Sequence, residues 1–102
     1  MYRYTTPTLP VEITEVDYTT VDIFRIAIEQ GKNEMLKIIS ANDPHVDAEH
    51  STIYVPLTQE ETASFKEGYV KIQARIKFTN GSVLATNKVN MPVEDVLDEV
   101  II

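Results

Sequence analysis

Two histidines, His45 and His50, stand with four residues between them among Asp43, Asp47 and Glu49, the one stretch of this 102-residue sequence where metal-ligating residue types crowd together. Imidazole nitrogens and carboxylate oxygens are the donors of a transition-metal site, but a site is preset only where the spacing fixes its geometry, as for two histidines one helical turn apart. His-x4-His after Asn42-Asp43-Pro44 reads as a loop with no third ligand fixed, and the D-x-D-x-D-G ladder of a calcium loop is missing. Glu60 and Glu61 have the residue types of a general acid and base. They also belong to Thr58-Gln59-Glu60-Glu61, a capping box in which the threonine oxygen takes a free helix amide and Glu61 reaches back to the amide of Thr58. Ser40, Ser51, Ser64 and Ser82 sit in no nucleophile-elbow motif, and the glycines form no phosphate loop. The sequence thus names no catalytic residue, no metal ligand and no cofactor, and it points away from an enzyme.

The elements that would carry any site are strands. From Val70, strict alternation sets Val70, Ile72, Ala74, Ile76 and Phe78 on one face and Lys71, Gln73, Arg75, Lys77 and Thr79 on the other, the pattern of a half-buried antiparallel strand. Asn80-Gly81 then predicts a two-residue type I′ turn. That turn would set Phe78 against Val83, Ile76 against Ala85, Ala74 against Asn87, Ile72 against Val89 and Val70 against Met91. Asn87 on this apolar face would satisfy a main-chain group at a bulge or mark where the hairpin leaves the core.

Ahead of this hairpin, residues 1–10 read as an extended arm with prolines at 7 and 10. Val11 and Ile13 start a short strand, and Glu15 to Thr20 is turn-like. Val21 to Glu29 puts Phe24, Ile26 and Ile28 on one face and Ile23, Arg25 and Ala27 on the other, its β-branched density arguing for a strand over the helix that the run could also accommodate. Gln30-Gly31-Lys32-Asn33 turns the chain into a second arm, Glu34 to Ile39, in which Met35, Leu36, Ile38 and Ile39 do not alternate cleanly and leave the inward face open. A turn at Ser40 to Pro44 leads to short strands at Val46 to Ala48 and at Thr52 to Leu57, with Ile53, Val55 and Leu57 on one side. The capping box starts about two helical turns, around Gln59-Phe65, ending by Gly68. Tyr69 reads either as a corner tyrosine bonded back to this connector or as rim packing. The acidic segment 93–102 fits a final strand or a short helix equally. About seven antiparallel strands with one short helical connector predict an all-β, immunoglobulin-like sandwich in a single domain, without the cysteine pair and core tryptophan of true immunoglobulin domains.

Composition narrows the partners. Sixteen acids against nine bases give a net charge of −7, which repels nucleic-acid phosphates and anionic lipid. No apolar run approaches the roughly 18 residues of a membrane span, and nothing resembles a signal peptide. With no cysteine, stability cannot rest on disulfides or thiolate zinc.

The runs Leu57-Thr58-Gln59-Glu60-Glu61-Thr62, Phe65-Lys66-Glu67-Gly68, Val70 to Ile76 and Leu84-Ala85-Thr86-Asn87, with the opening Thr5-Thr6-Pro7-Thr8, resemble a group of short proteins encoded in phages and prophages of Gram-positive bacteria. The resemblance is strongest from Ile53 to Met91 and weakest from Asn42 to His50. Its motifs belong to the fold, so it carries over no functional residue. It implies a non-enzymatic structural or accessory protein of a virion, at the tail or baseplate, that assembles with itself or with other virion proteins and resides in the particle or the bacterial cytoplasm. The alternative left by the residues is a small carbohydrate-binding or adhesion module, for which Tyr2, Tyr4, Tyr18, Tyr54 and Tyr69 offer rings but no tryptophan is present.

Overall fold

The computed structural model describes residues 1–102. In chain order the strands are β1 (Thr8–Glu12), β2 (Val21–Gln30), β3 (Asn33–Ser40), β4 (Val46–Asp47), β5 (Thr52–Pro56), β6 (Gly68–Phe78), β7 (Val83–Ala85) and β8 (Val89–Val93), with one α-helix, α1 (Gln59–Ala63), between β5 and β6. They form two antiparallel sheets, a small one in the order β1-β5-β4 and a large one in the order β3-β2-β6, with β7 and β8 successive on the far side of β6. No helix is long and apolar enough to cross a membrane.

The alternation seen in the sequence sorts side chains between the layers. Phe24, Ile26 and Ile28 of β2 and Val70, Ala74 and Ile76 of β6 are buried against Leu9, Ile53 and Val55 of the small sheet, with Leu57 and Phe65 from the connector completing one cluster. Only 18 residues are buried, so each large core side chain carries a substantial share of the apolar stabilisation. The all-β sandwich expectation holds. Lettered A to G in chain order, with β7 and β8 as one position, the sheets read A-E-D and C-B-F-G, whereas the immunoglobulin order is A-B-E-D and C-F-G. The second strand lies in the other sheet because of its turn. Gly31-Lys32 is a two-residue loop with φ +58° at Gly31 and a negative φ at Lys32, the sign pattern of a type II′ turn, and such a turn cannot span the roughly 10 Å between layers.

The central hairpin departs from its expected register. Its loop is Thr79-Asn80-Gly81, three residues: the Phe78 N–H donates to the Ser82 carbonyl and the Gly81 N–H to that of Phe78, both at 2.9 Å. Asn80 keeps a negative φ and spends its side-chain oxygen on the N–H (2.9 Å) and hydroxyl (2.7 Å) of Ser82, so only Gly81, at φ +89°, is left-handed. Ile76 therefore faces Leu84, and Arg75 faces Ala85. One extra residue is absorbed between β7 and β8, after which Ile72 faces Val89 and Val70 faces Met91 as expected. At the break Thr86, not Asn87, does the satisfying: its Oγ1 accepts from the Ala74 N–H at 3.0 Å, and its N–H donates to the Ala74 carbonyl at 2.9 Å. Asn87 is exposed where the strand leaves the ladder.

Other boundaries also shift. The first strand starts at Thr8, before Pro10, which is exposed on this edge strand. The capping box forms as read, with the Glu61 N–H donating to Thr58 Oγ1 at 3.2 Å and the Thr58 N–H to Glu61 Oε1 at 2.9 Å. The helix stops at Ala63, because Thr62 is buried with its hydroxyl tied to Thr5 (N–H 3.1 Å, carbonyl 2.9 Å) and Phe65 turns into the core; Gly68, at φ +138°, opens β6. Tyr69 is 68% exposed and is no corner. Tyr18 fills that role, donating its hydroxyl to the Ile13 carbonyl at 2.7 Å with its ring 5.7 Å from that of Phe24. Its phenol is pushed above the ordinary value by burial, aided by Asp47 and Glu12. The two ends of the chain meet in parallel: Met1 N donates to the Pro92 carbonyl (2.8 Å), Glu94 N–H to Met1 (2.8 Å) and Arg3 N–H to Glu94 (2.9 Å). Beyond Glu94 the C-terminal segment forms neither strand nor helix.

Candidate functional site

The histidines do not converge. His45 Nδ1 sits 2.7 Å from Asp43 and His50 Nδ1 2.8 Å from Asp47, each closing its own turn, while Glu49 is exposed, and no group of three ligand residues forms. The main-chain N–H of His45, then its ring, holds the Asp43 carboxyl below the ordinary carboxylate value. Glu61 serves the capping box and an ion pair with Lys37 at 2.6 Å; Glu60 faces solvent. Ser64 donates to the Glu61 carbonyl, Ser82 to Asn80, and Ser40 accepts from the Asn42 N–H, so these hydroxyls are engaged locally. No buried side-chain nitrogen or oxygen lacks a partner.

What stands unpaired is main chain. β3 is the outer strand of the large sheet, eight residues long, without proline, in unbroken register with β2 from Ile23–Ser40 to Gln30–Asn33. The Ala41 N–H donates to the Asp22 carbonyl at 3.2 Å, which fixes the parity: odd residues of this strand bond to β2, and Glu34, Leu36, Ile38 and Ser40 aim their N–H and C=O groups at the open edge. The same parity turns Met35, Lys37 and Ile39 inward and Leu36 and Ile38 outward, which settles the face that the sequence left open. Leu36 is 41% and Ile38 55% exposed. Lys37, the charge that would ordinarily guard such an edge, points to the inner side and is held by Glu61. Burial raises the pKa of Glu61, but the Lys37 hydrogen bond and the Thr58 amide outweigh it, and the carboxyl lies below its ordinary value.

Beside the middle of this edge the outer sheet face is basic, with Glu29 and Glu34 on the same face toward the Gly31-Lys32 turn. Arg25 stands opposite Ile38 on one side and Arg75 on the other, with Lys77 one register row away, and none of the three makes an ion pair. Three of the nine bases of a protein with net charge −7 are thus left free on one surface. No family model, curated protein or solved structure matches this chain. Geometry alone therefore marks the site.

A second feature lies across the sheet. The three-stranded layer is too narrow to cover the far strands, so Leu84 (54% exposed) and Val89 (60%) face inward without being buried. With Val11 and Ile13 they wall a groove of 620 Å³ floored by Ile72 and Ile76 and rimmed by acids such as Glu12 and Glu15. The sequence reading missed Leu36 and Ile38 as surface residues. The clue was Lys37: placing it inward requires an acid on a neighbouring element, and the capping box already supplied Glu61.

Proposed function

We propose that this protein is a non-enzymatic assembly module whose docking element is the open edge of β3. One observation carries the reading: an eight-residue, proline-free, register-true edge strand with Leu36 and Ile38 outward and its one central charge neutralised within the fold. Natural edges are blunted by short strands, bulges, proline or outward charge; this one has a single outward charge, Glu34 at its start, and from Leu36 to Ser40 its main-chain groups are open as a template for another strand. The resemblance to phage-encoded proteins supplies the setting, a virion structural or accessory part at the tail or baseplate, with itself or other virion proteins as partners. Size-exclusion chromatography with light scattering, together with mass spectrometry of induced particles, tests this reading. Concentration-dependent association that Ile38→Lys abolishes, with the chain present in particles, is the expected result; a monomer at every concentration that is absent from particles overturns it.

A second reading, a small-ligand module of carbohydrate-binding or adhesion type, draws support from the 620 Å³ groove, within the roughly 300–1,000 Å³ usual for ligand sites, and from the exposed rings of Tyr2, Tyr54 and Tyr69. A glycan array without hits removes it.

A further inference from the structure

The chain carries its own candidate for the β3 edge. Val96 to Ile102 is seven residues long, close to the eight of the edge, lies in no sheet, and exposes Leu97, Val100, Ile101 and Ile102 to solvent. Its charge complements the middle of the surface beside β3: it holds two acids, Asp98 and Glu99, and no base, while Arg25, Arg75 and Lys77 have no acidic partner. Its ties to its own copy are few. Arg3 pairs with Asp95 (2.8 Å) and Glu99 (3.1 Å), and Gln59 exchanges two side-chain hydrogen bonds with the main chain of Ile102. Asp98 makes no ion pair.

We infer that the C-terminal segment of one copy adds as a strand to the β3 edge of a second copy. This rests on the reading of that edge as the docking element. In the added strand, period-two alternation puts Val96, Asp98 and Val100 on one face. With that face outward, the valines extend the Leu36 and Ile38 patch, and Asp98 meets the guanidinium of Arg25 reaching across β3. Main-chain bonds supply most of the affinity and the charge pair sets which strand is accepted. Because edge and segment are different surfaces, each contact is head-to-tail, and it builds chains or rings, the smallest ring being a reciprocal pair in which each copy's segment lies on the other's edge.

The test is a charge exchange in the intact 102-residue chain, at two exposed positions. Arg25→Glu and Asp98→Lys should each raise the concentration of half-assembly by about tenfold. Mixing the two variants should restore assembly, since the reversed tail of one then meets the reversed edge of the other, while the unaltered tail and edge pair as in the parent chain. The amides of Leu36 and Ile38 should exchange more slowly as assembly proceeds. A two-fold dimer that ignores Asp98→Lys but is lost with Ile38→Lys overturns the C-terminal segment as occupant and leaves the edge as the interface. Failure of the mixture to recover also overturns it. Neither result touches the particle experiment that decides the broader reading.

Discussion

The large sheet has two edges built from the same kind of residues, and they are finished differently. On the β7–β8 side the strand is cut into pieces of three and five residues by an inserted residue at Thr86 to Lys88, Pro92 interrupts the donors, and the N-terminal arm pairs with the end at Glu94. On the β3 side the strand is longer, whole and uncapped. Apolar exposure alone does not separate them, since Val83 and Leu84 are as exposed as Leu36 and Ile38. Continuity of unpaired main chain does. A broken edge can bury little of another strand, whereas an unbroken one binds with every second residue.

The comparison can be broken at its base or sharpened at its rims. Phe24, fully buried on the strand that supports β3, is expected to cost about 3–5 kcal/mol when changed to alanine, read by chemical denaturation, and to abolish both edges together. Thr86→Val removes the acceptor of the Ala74 N–H and should cost about 1–3 kcal/mol while leaving association through β3 intact. Thr58→Ala strips the cap that fixes Glu61 beside Lys37 and should cost about 1 kcal/mol in the same assay. Val83→Lys and Ile38→Lys, both on exposed side chains, should each change stability by less than about 0.5 kcal/mol, yet only the second should prevent association in light scattering. The smallest effect is a pH dependence. The Glu61 carboxyl is depressed below its ordinary 4.5, so its contribution is fully present above that value and is lost as pH falls through the folded-state value; a melting series from neutral to acid pH should show a slope there that Glu61→Gln flattens.

Much of this fold was legible in the chain. Strict alternation named β6 and the inward face of β2, and the four residues Thr58 to Glu61 named the helix start, because both signals are local and have one physical solution. The hairpin register was not legible, because Asn80 can supply either a left-handed turn residue or a side chain that bonds forward to Ser82, and the second outcome adds a residue to the loop. The face of β3 was hidden for a longer-range reason: whether Lys37 lies inward depends on Glu61, which is 24 residues further along the chain. The exposure of Leu84 and Val89 depends on the width of the opposite sheet, a property of no single strand.

The parallel pairing of Met1–Arg3 with Pro92–Glu94 has a mechanical corollary. Tension applied to the chain ahead of Tyr2 and beyond Glu94 draws the two segments past each other, so the three hydrogen bonds between them are loaded together in shear instead of opening one after another. Arg3 adds a rivet at the same seam, bonded to the carbonyls of Ala63 and Phe65 and to Asp95 and Glu99. A subunit linked to its neighbour through residues 96–102 gives up the Glu99 contact and would therefore take strain first on the three bonds of this seam and on the Arg3 ties to Ala63, Phe65 and Asp95, ahead of the core.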